Sequence, residues 1–378
     1  MAVTASQASQ TMPVGLIGSQ QQAAAQAGGQ TIYTFRQAAA RRRQSSVYIL
    51  NLTSGQPYQQ ELRHVGYLNN LYLKVTGTIT VGTTGTVQET QDSENYLPLL
   101  QILTPASNSP HTMSFRSLMG LNYKLFKSTN PRTAPGYAIW APGTSGAQNI
   151  QVVCRLPLAL NNGRNFATCL VPRNSQQAWY LSGRAAAPGD LVGSGSAVVT
   201  VTSLTLEIGE EWYDAIGMAN VIMPDFLIAS RIREAVPKTS LATTDNTFPY
   251  PTPGPTLLEL FHQVYLGPNG TLNHASVDRV QLFADGEYYF DDRNAPQVRD
   301  DDMQAYGQAL PTGWLGESFF EDTLVQNESL GRDQIDATLY SQLLHNVRLL
   351  TNANIANSKV VTLYRELVDL QLPAGTAG

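Results

Sequence analysis

The stretch 71–81 constrains the fold of this chain more than any other. Leu71, Leu73, Val75, Ile79 and Val81 fall on one side of an extended backbone. Tyr72, Lys74, Thr76, Thr78 and Thr80 fall on the other. Only a strand, with its side-chain period of two, buries such a set on one face and leaves the other wet. A chain built around one such strand needs partners for it. Further strand-like runs follow at 98–103, 150–160, 179–181 and 197–208, with shorter ones at 47–50 and 165–171.

The pattern then begins again. Residues 210–217 read as a hinge, after which strand-like runs occur at 221–223, 226–228 and 257–266. Asp285-Gly286 offers a two-residue hairpin turn within 277–290. Phe319-Phe320 marks a further strand, and the alternation over 359–372 predicts a strand buried on both faces. Each half also contains one helical segment, 113–126 and 298–310. The spacing of Ile335, Leu339, Leu343 and Val347 predicts a further helix. Two β-rich halves of about 165 residues therefore follow a polar N-terminal stretch, in line with the length prior for two domains. Thirty Gly and 21 Pro suit many tight turns and argue against a helical bundle. The regular strand–helix alternation of a nucleotide-binding fold is missing.

Charge is unevenly placed. Residues 1–60 hold Arg36, Arg41, Arg42 and Arg43 and no Asp or Glu, a charge of +4. The total is −5, which leaves −5 − 4 = −9 for the remainder. A basic tail on an acidic body points to an anionic surface. Residues 1–30 are rich in Gln, Ala, Ser and Gly, the composition of an arm that orders on contact with neighbours. No signal peptide and no apolar run of spanning length is evident, so the expected setting is solution inside a cell. Cys154 and Cys169 lie in apolar runs and read as buried small side chains in a reducing compartment.

Signals for chemistry are weak. His64, His111, His262, His274 and His345 are scattered, with no two at metal-ligand spacing. No phosphate loop and no nucleophile elbow occur. Asp291-Asp292 and Asp300-Asp301-Asp302 could supply oxygen ligands, but 300–302 falls where the first turn of the second helix is expected, and acids there favour the helix dipole. Glu317, Glu321 and Asp322 could pair as in a glycosidase, though that depends on a separation in space. Aromatic and basic residues do not interleave, so no sequence-specific nucleic-acid surface is expected. No cofactor, metal or catalytic residue is assigned.

In arrangement and short motifs the chain resembles the tectivirus-type major capsid proteins, double jelly-roll proteins of icosahedral, membrane-containing bacterial viruses. The likeness runs from about residue 45 to 370. It is carried by Leu71-Tyr-Leu-Lys-Val-Thr-Gly-Thr-Ile-Thr80, by His111-Thr-Met-Ser leading into 115–126, and by Arg155-Leu-Pro-Leu-Ala-Leu160 with Cys169-Leu-Val-Pro172. Glu211-Trp-Tyr-Asp214, Val221-Ile-Met-Pro224 and the segment 277–291 continue it.

The resemblance implies a mainly β fold of two consecutive eight-stranded jelly rolls with short helical inserts: arm 1–45, first roll 46–209, linker 210–218, second roll and tail 219–378. It further implies a non-enzymatic capsid subunit of the virion, assembled in the host cytoplasm. The family forms homotrimeric, pseudo-hexameric capsomers that meet one another, penton and minor capsid proteins. Its N-terminal segment lies near an internal membrane, which gives Arg36, Arg41, Arg42 and Arg43 a membrane-facing role. At roughly 1 kcal/mol per basic residue, three arms could contribute on the order of 12 kcal/mol before screening. The alternatives are a minor capsid or spike protein, and a carbohydrate-binding or glycosidase-type β-sandwich.

Overall fold

The computed structural model describes residues 33–34, 39–87, 93–103, 111–125, 138–159, 178–192, 197–215, 221–222, 228–250, 256–267, 271–284, 286–306, 310, 312–318, 335–336 and 343–369. Leaving aside two-residue pairings, the first half holds β1 (Ala39–Asn51), β2 (Pro57–Glu61), β3 (Tyr67–Val81), β4 (Leu99–Leu103), β5 (His111–Met113), helix α1 (Phe115–Leu125), β6 (Gly146–Pro157), β7 (Tyr180–Arg184) and β8 (Val199–Ala215). The second half holds β9 (Ile228–Glu234), β10 (Asp245–Pro249), β11 (Thr256–Leu266), β12 (Val277–Ala284), β13 (Glu287–Arg293), helix α2 (Ala295–Tyr306), β14 (Trp314–Ser318), β15 (Leu343–Leu349) and β16 (Lys359–Asp369).

Pairing turns this order into a duplication. The first half forms sheets β1-β8-β3-β6 and β2-β7-β4-β5. The second forms β9-β16-β11-β14 and β10-β15-β12-β13. Adding eight to each label of the first pair gives the second, so both halves are the same eight-stranded jelly roll. Each helix also falls between the fifth and sixth strand of its roll. The rolls share one sheet: β5 pairs in parallel with β9, Ile232 beside His111 and Arg233 beside Thr112.

Alternation decides which faces become cores. Leu71, Leu73, Val75, Ile79 and Val81 are all buried and pack with Leu206, Ile208, Val152 and Leu181 between the sheets of the first roll. On β16, Val360, Thr362 and Tyr364 alternate with Val361, Leu363 and Arg365, and all six are buried. Leu363, Ile232, Phe261 and Trp314 of the second roll join the first roll's core. Val360 and Tyr364 belong to the second roll's own core. The sheet β9-β16-β11-β14 is thus a central layer with apolar packing on both faces, which explains the two-sided burial read from 359–372.

Several sequence expectations need correcting. The segment 343–349 is a strand, not a helix: Leu343, His345, Val347 and Leu349 are buried in alternation. The helix expected from residue 298 starts at Ala295. Asn294 and Gln297 cap it reciprocally, each backbone amide donating to the other's side-chain oxygen at 3.0 Å. Asp300 and Asp301 therefore lie in its second turn and not at its positive end. β1 begins inside the span assigned to the arm, and β8 runs to Ala215, inside the span assigned to the linker. The described part of β14 is Trp314–Ser318; Phe319 and Phe320, like 165–171, lie outside the described residues. Ala284 pairs with Glu287 across the expected hairpin turn, where Gly286 adopts a φ of +85° that side chains resist.

Candidate functional site

Two places concentrate specific contacts: the seam between the rolls, and the end of the first roll where the chain enters from its N-terminal stretch.

Helix α1 forms the seam. Ser114 precedes it as N-cap, its hydroxyl accepting from the Ser117 amide at 3.3 Å. Phe115, Leu118, Met119 and Leu121 are buried in the first roll's core. The same helix is gripped by the second roll. Glu234 on β9 accepts from the Ser114 amide at 2.8 Å and its hydroxyl at 2.9 Å, placing a carboxylate at the helix's positive end. Gln263 on β11 donates to Ser117 at 3.0 Å, and the Arg116 guanidinium lies 4.7 Å from the Tyr265 ring. Gly120 leaves room for the Trp314 indole. On the first roll's side, Asn122 donates to the Arg155 carbonyl and accepts from the Arg155 amide, both at 2.6 Å. A helix clamped from both sides makes the two rolls one block.

At the entry end, Arg41, Arg42 and Arg43 are residues of β1, paired along β8 opposite Tyr213, Trp212 and Glu211. Arg41 donates to Glu211 at 2.6 Å. The fully buried Glu211 carboxylate also accepts from Tyr72 at 2.7 Å, Asn69 at 2.7 Å and Asn70 at 3.0 Å. Burial alone would push this carboxyl up; Arg41, Tyr72 and Asn70 together outweigh it and hold it below the usual carboxylate range. Arg43 lies 4.0 Å and Arg155 5.0 Å from the Tyr72 ring centroid. Arg63 binds the neighbouring buried carboxylate, Glu210, at 2.7 Å. Two of the four arginines read as arm residues therefore have partners within the fold. Arg42 is exposed, and Arg36 lies outside the described residues.

The second roll uses the same device. Arg231 and Arg233 of its first strand donate to the fully buried Glu366 of its last, at 2.6 and 2.7 Å, and the Tyr250 hydroxyl completes the cage. Such pairs, |i−j| of 133 to 170 apart, leave no signal in local sequence.

The weaker sequence candidates do not converge. Glu317 pairs with Arg293, which also binds Asp301 at 2.6 Å; Glu321 and Asp322 lie outside the described residues. Asp300 is exposed, and nothing is described of the Asp291, Asp292 and Asp302 side chains. Among the described residues no group of three or more His, Cys, Asp or Glu is placed to hold a metal, and no helix is long and apolar enough to cross a membrane. Cys154 is buried as expected and Cys169 lies outside the described residues. Nothing in the local pattern signals that His262 and His345 meet, with ring centroids 5.5 Å apart.

No family model and no curated protein matches the chain. Solved structures do. The chain is similar to the STIV MCP, from Sulfolobus turreted icosahedral virus, with a TM-score of 0.63 and 15% identity over 89% of this chain and 99% of that one. It is similar to the major capsid protein P2 from bacteriophage PM2, at 0.53 and 11% over 89% and 100%. It is similar also to the Faustovirus major capsid protein, at 0.58 and 9% over 88% and 90%. At such identities the likeness shows the fold. The chain has the double jelly-roll fold of these major capsid proteins.

Proposed function

We propose that this chain is a major capsid protein, a structural subunit that self-assembles into the shell of an icosahedral virus. The observation that carries this reading is the duplication: one eight-stranded roll built twice, with the same strand order and the same helical insert. Two similar rolls in one chain let three copies present six similar sides, so a homotrimer acquires a hexagonal outline and can tile a shell. The seam supports it, because a tile must transmit contacts without hinging. Its neighbours would be other trimers, with penton and minor capsid proteins at special positions.

The arm fits an anionic membrane surface beneath the shell, through fewer arginines than the sequence suggests. Arg41 and Arg43 are engaged by Glu211 and Tyr72, so Arg36 and Arg42 carry the proposed contact. At roughly 1 kcal/mol each before screening, three arms contribute on the order of 6 kcal/mol. Unchanged binding of the trimer to anionic vesicles at low salt after Arg36→Gln and Arg42→Gln would rule this contact out.

Electron microscopy of the purified protein tests the capsid reading. Class averages with a hexagonal outline and threefold symmetry support it. Single two-lobed particles at all concentrations, with no larger assembly, would contradict it.

A further inference from the structure

The second roll's core contains a feature that stability alone does not favour. His262 on β11 and His345 on β15 come from opposite sheets and meet in the interior, their rings 76° apart in an edge-to-face contact. Both are buried, with 2% and 0% exposure. His262 Nδ1 lies 3.0 Å from the Thr362 hydroxyl on β16. Its Nε2, and both ring nitrogens of His345, have no hydrogen-bond partner among the described residues. Phe248 closes the site 5.3 Å from His262, and Tyr364 stands 5.6 Å from His345. Apolar residues would fill such a space without leaving buried nitrogens unpaired.

Among the described residues, the carboxylates around the pair are already bonded elsewhere. From β9, Arg231 and Arg233 face this interior, and Glu366 on β16 is already bonded to both. From β10 and the residue following it come Phe248, Asn246 and Tyr250. Burial pushes the Tyr250 and Tyr364 hydroxyls up, so neither supplies an anion. β12 contributes Val280 and Leu282, while its Asp278 and Arg279 are paired with Arg348 and Asp245. On β13, β14 and α2, Glu317 and Asp301 are both bonded to Arg293. Glu259 and Arg365 pair at 3.0 Å across β11 and β16. An imidazolium here would meet another imidazole in a closed interior, with the Thr362 hydroxyl beside His262 and no described carboxylate bonded to either ring.

We propose that the His262–His345 pair makes the second jelly roll acid-sensitive: protonation of the pair drives its sheets apart while the first roll stays closed. Burial holds His262 down to about 4 and His345 well below 6.5, the latter helped by His262 itself. The unfolded chain binds protons near 6.5, so it takes them up first and stability falls as pH drops from about 6.5 towards 4. The first roll's core holds no matching pair among the described residues. His111 on β5, held down to about 3 by burial and by Arg365 and Arg231, sits at the seam and is the competing explanation.

Hydrogen–deuterium exchange on the full chain between pH 7 and 4.5, read by mass spectrometry as protection factors, tests the proposal. Protection in β11 and β15 is expected to fall at least about tenfold below pH 6 while β3 and β8 keep theirs. His345→Phe and, separately, His345→Gln are each expected to move that loss to lower pH by about half a unit or more. Only the pH midpoint is compared, so a variant with lower stability at pH 7 remains informative. Equal loss in both rolls, an unmoved midpoint in both variants, or a shift on His111→Gln instead would overturn it.

Discussion

Gly120→Ala puts the clamped helix to the test. A methyl group on Gly120 would stand 1.8 Å from Cζ2 of Trp314 and 2.5 Å from both Cε2 and Cη2. Carbon atoms pack at about 3.5 Å or more, so helix and indole must part by roughly 1.7 Å. The indole has nowhere to go: Trp314 is 2% exposed, lies on a strand hydrogen-bonded to β11, and packs 6.2 Å from Phe261. In an unconstrained helix the same change gains about 1 kcal/mol. Overpacking a closed core costs about 1–3 kcal/mol, and this overlap belongs at the upper end. The net expectation is a loss of about 1–2 kcal/mol in urea-induced unfolding followed by tryptophan fluorescence. Gly189→Ala, whose new methyl meets nothing within 4 Å, serves as the neutral control. In a double-mutant cycle with Trp314→Leu, the smaller side chain should absorb the methyl and yield a coupling of about 1 kcal/mol or more. A Gly120→Ala protein as stable as the parent, with no coupling, would show that the helix does not bind the rolls together.

The buried carboxylate at the entry end gives an asymmetric pair of outcomes. Glu211→Ala strips the partner from Arg41, Tyr72, Asn69 and Asn70, and should cost about 3 kcal/mol in the same assay. Arg41→Ala leaves three donors in place and removes a side chain that is 54% exposed, so it should cost under about 1 kcal/mol. Equal costs would mean the carboxylate is not the centre of the cluster. Burial pushes the Cys154 thiol up and closes off access to it, so its alkylation at pH 8 should keep pace with unfolding and not with reagent concentration. Rapid modification of Cys154 in the native protein would refute its placement between the sheets.

The long strand β3 was legible because, over 71–81, one of its faces is apolar throughout and the other is lined with threonines; the short β2 and β10 were not. Thr76, Thr78 and Thr80 against Val75, Ile79 and Val81 determine β3 without any knowledge of its partners. The segment 335–347 misled for an arithmetic reason: a spacing of four fits a helical face and is also an even number, so it fits one face of a strand. The inward slot at 345 is filled by a histidine, which hides the alternation of β15. β1 was hidden differently. A register shift between Gln44 and Tyr48, with Ser46 at a φ of +57°, breaks its period, and its arginines suggest a solvated tail. Their carboxylate partner lies 170 residues away from Arg41, and only the antiparallel pairing of first and last strand brings it near. The seam was illegible for the same reason, since Gly120 and Ser117 acquire meaning only beside Trp314 and Gln263. Local periodicity reports which face is buried. It does not report what buries it.

The proposed homotrimeric tile sets the mass of the protein in solution. Light scattering after gel filtration should give three times 41.1 kDa, about 123 kDa, unchanged on dilution. A species at 41.1 kDa across the same concentrations would contradict the assembly reading, whatever the fold shares with capsid proteins.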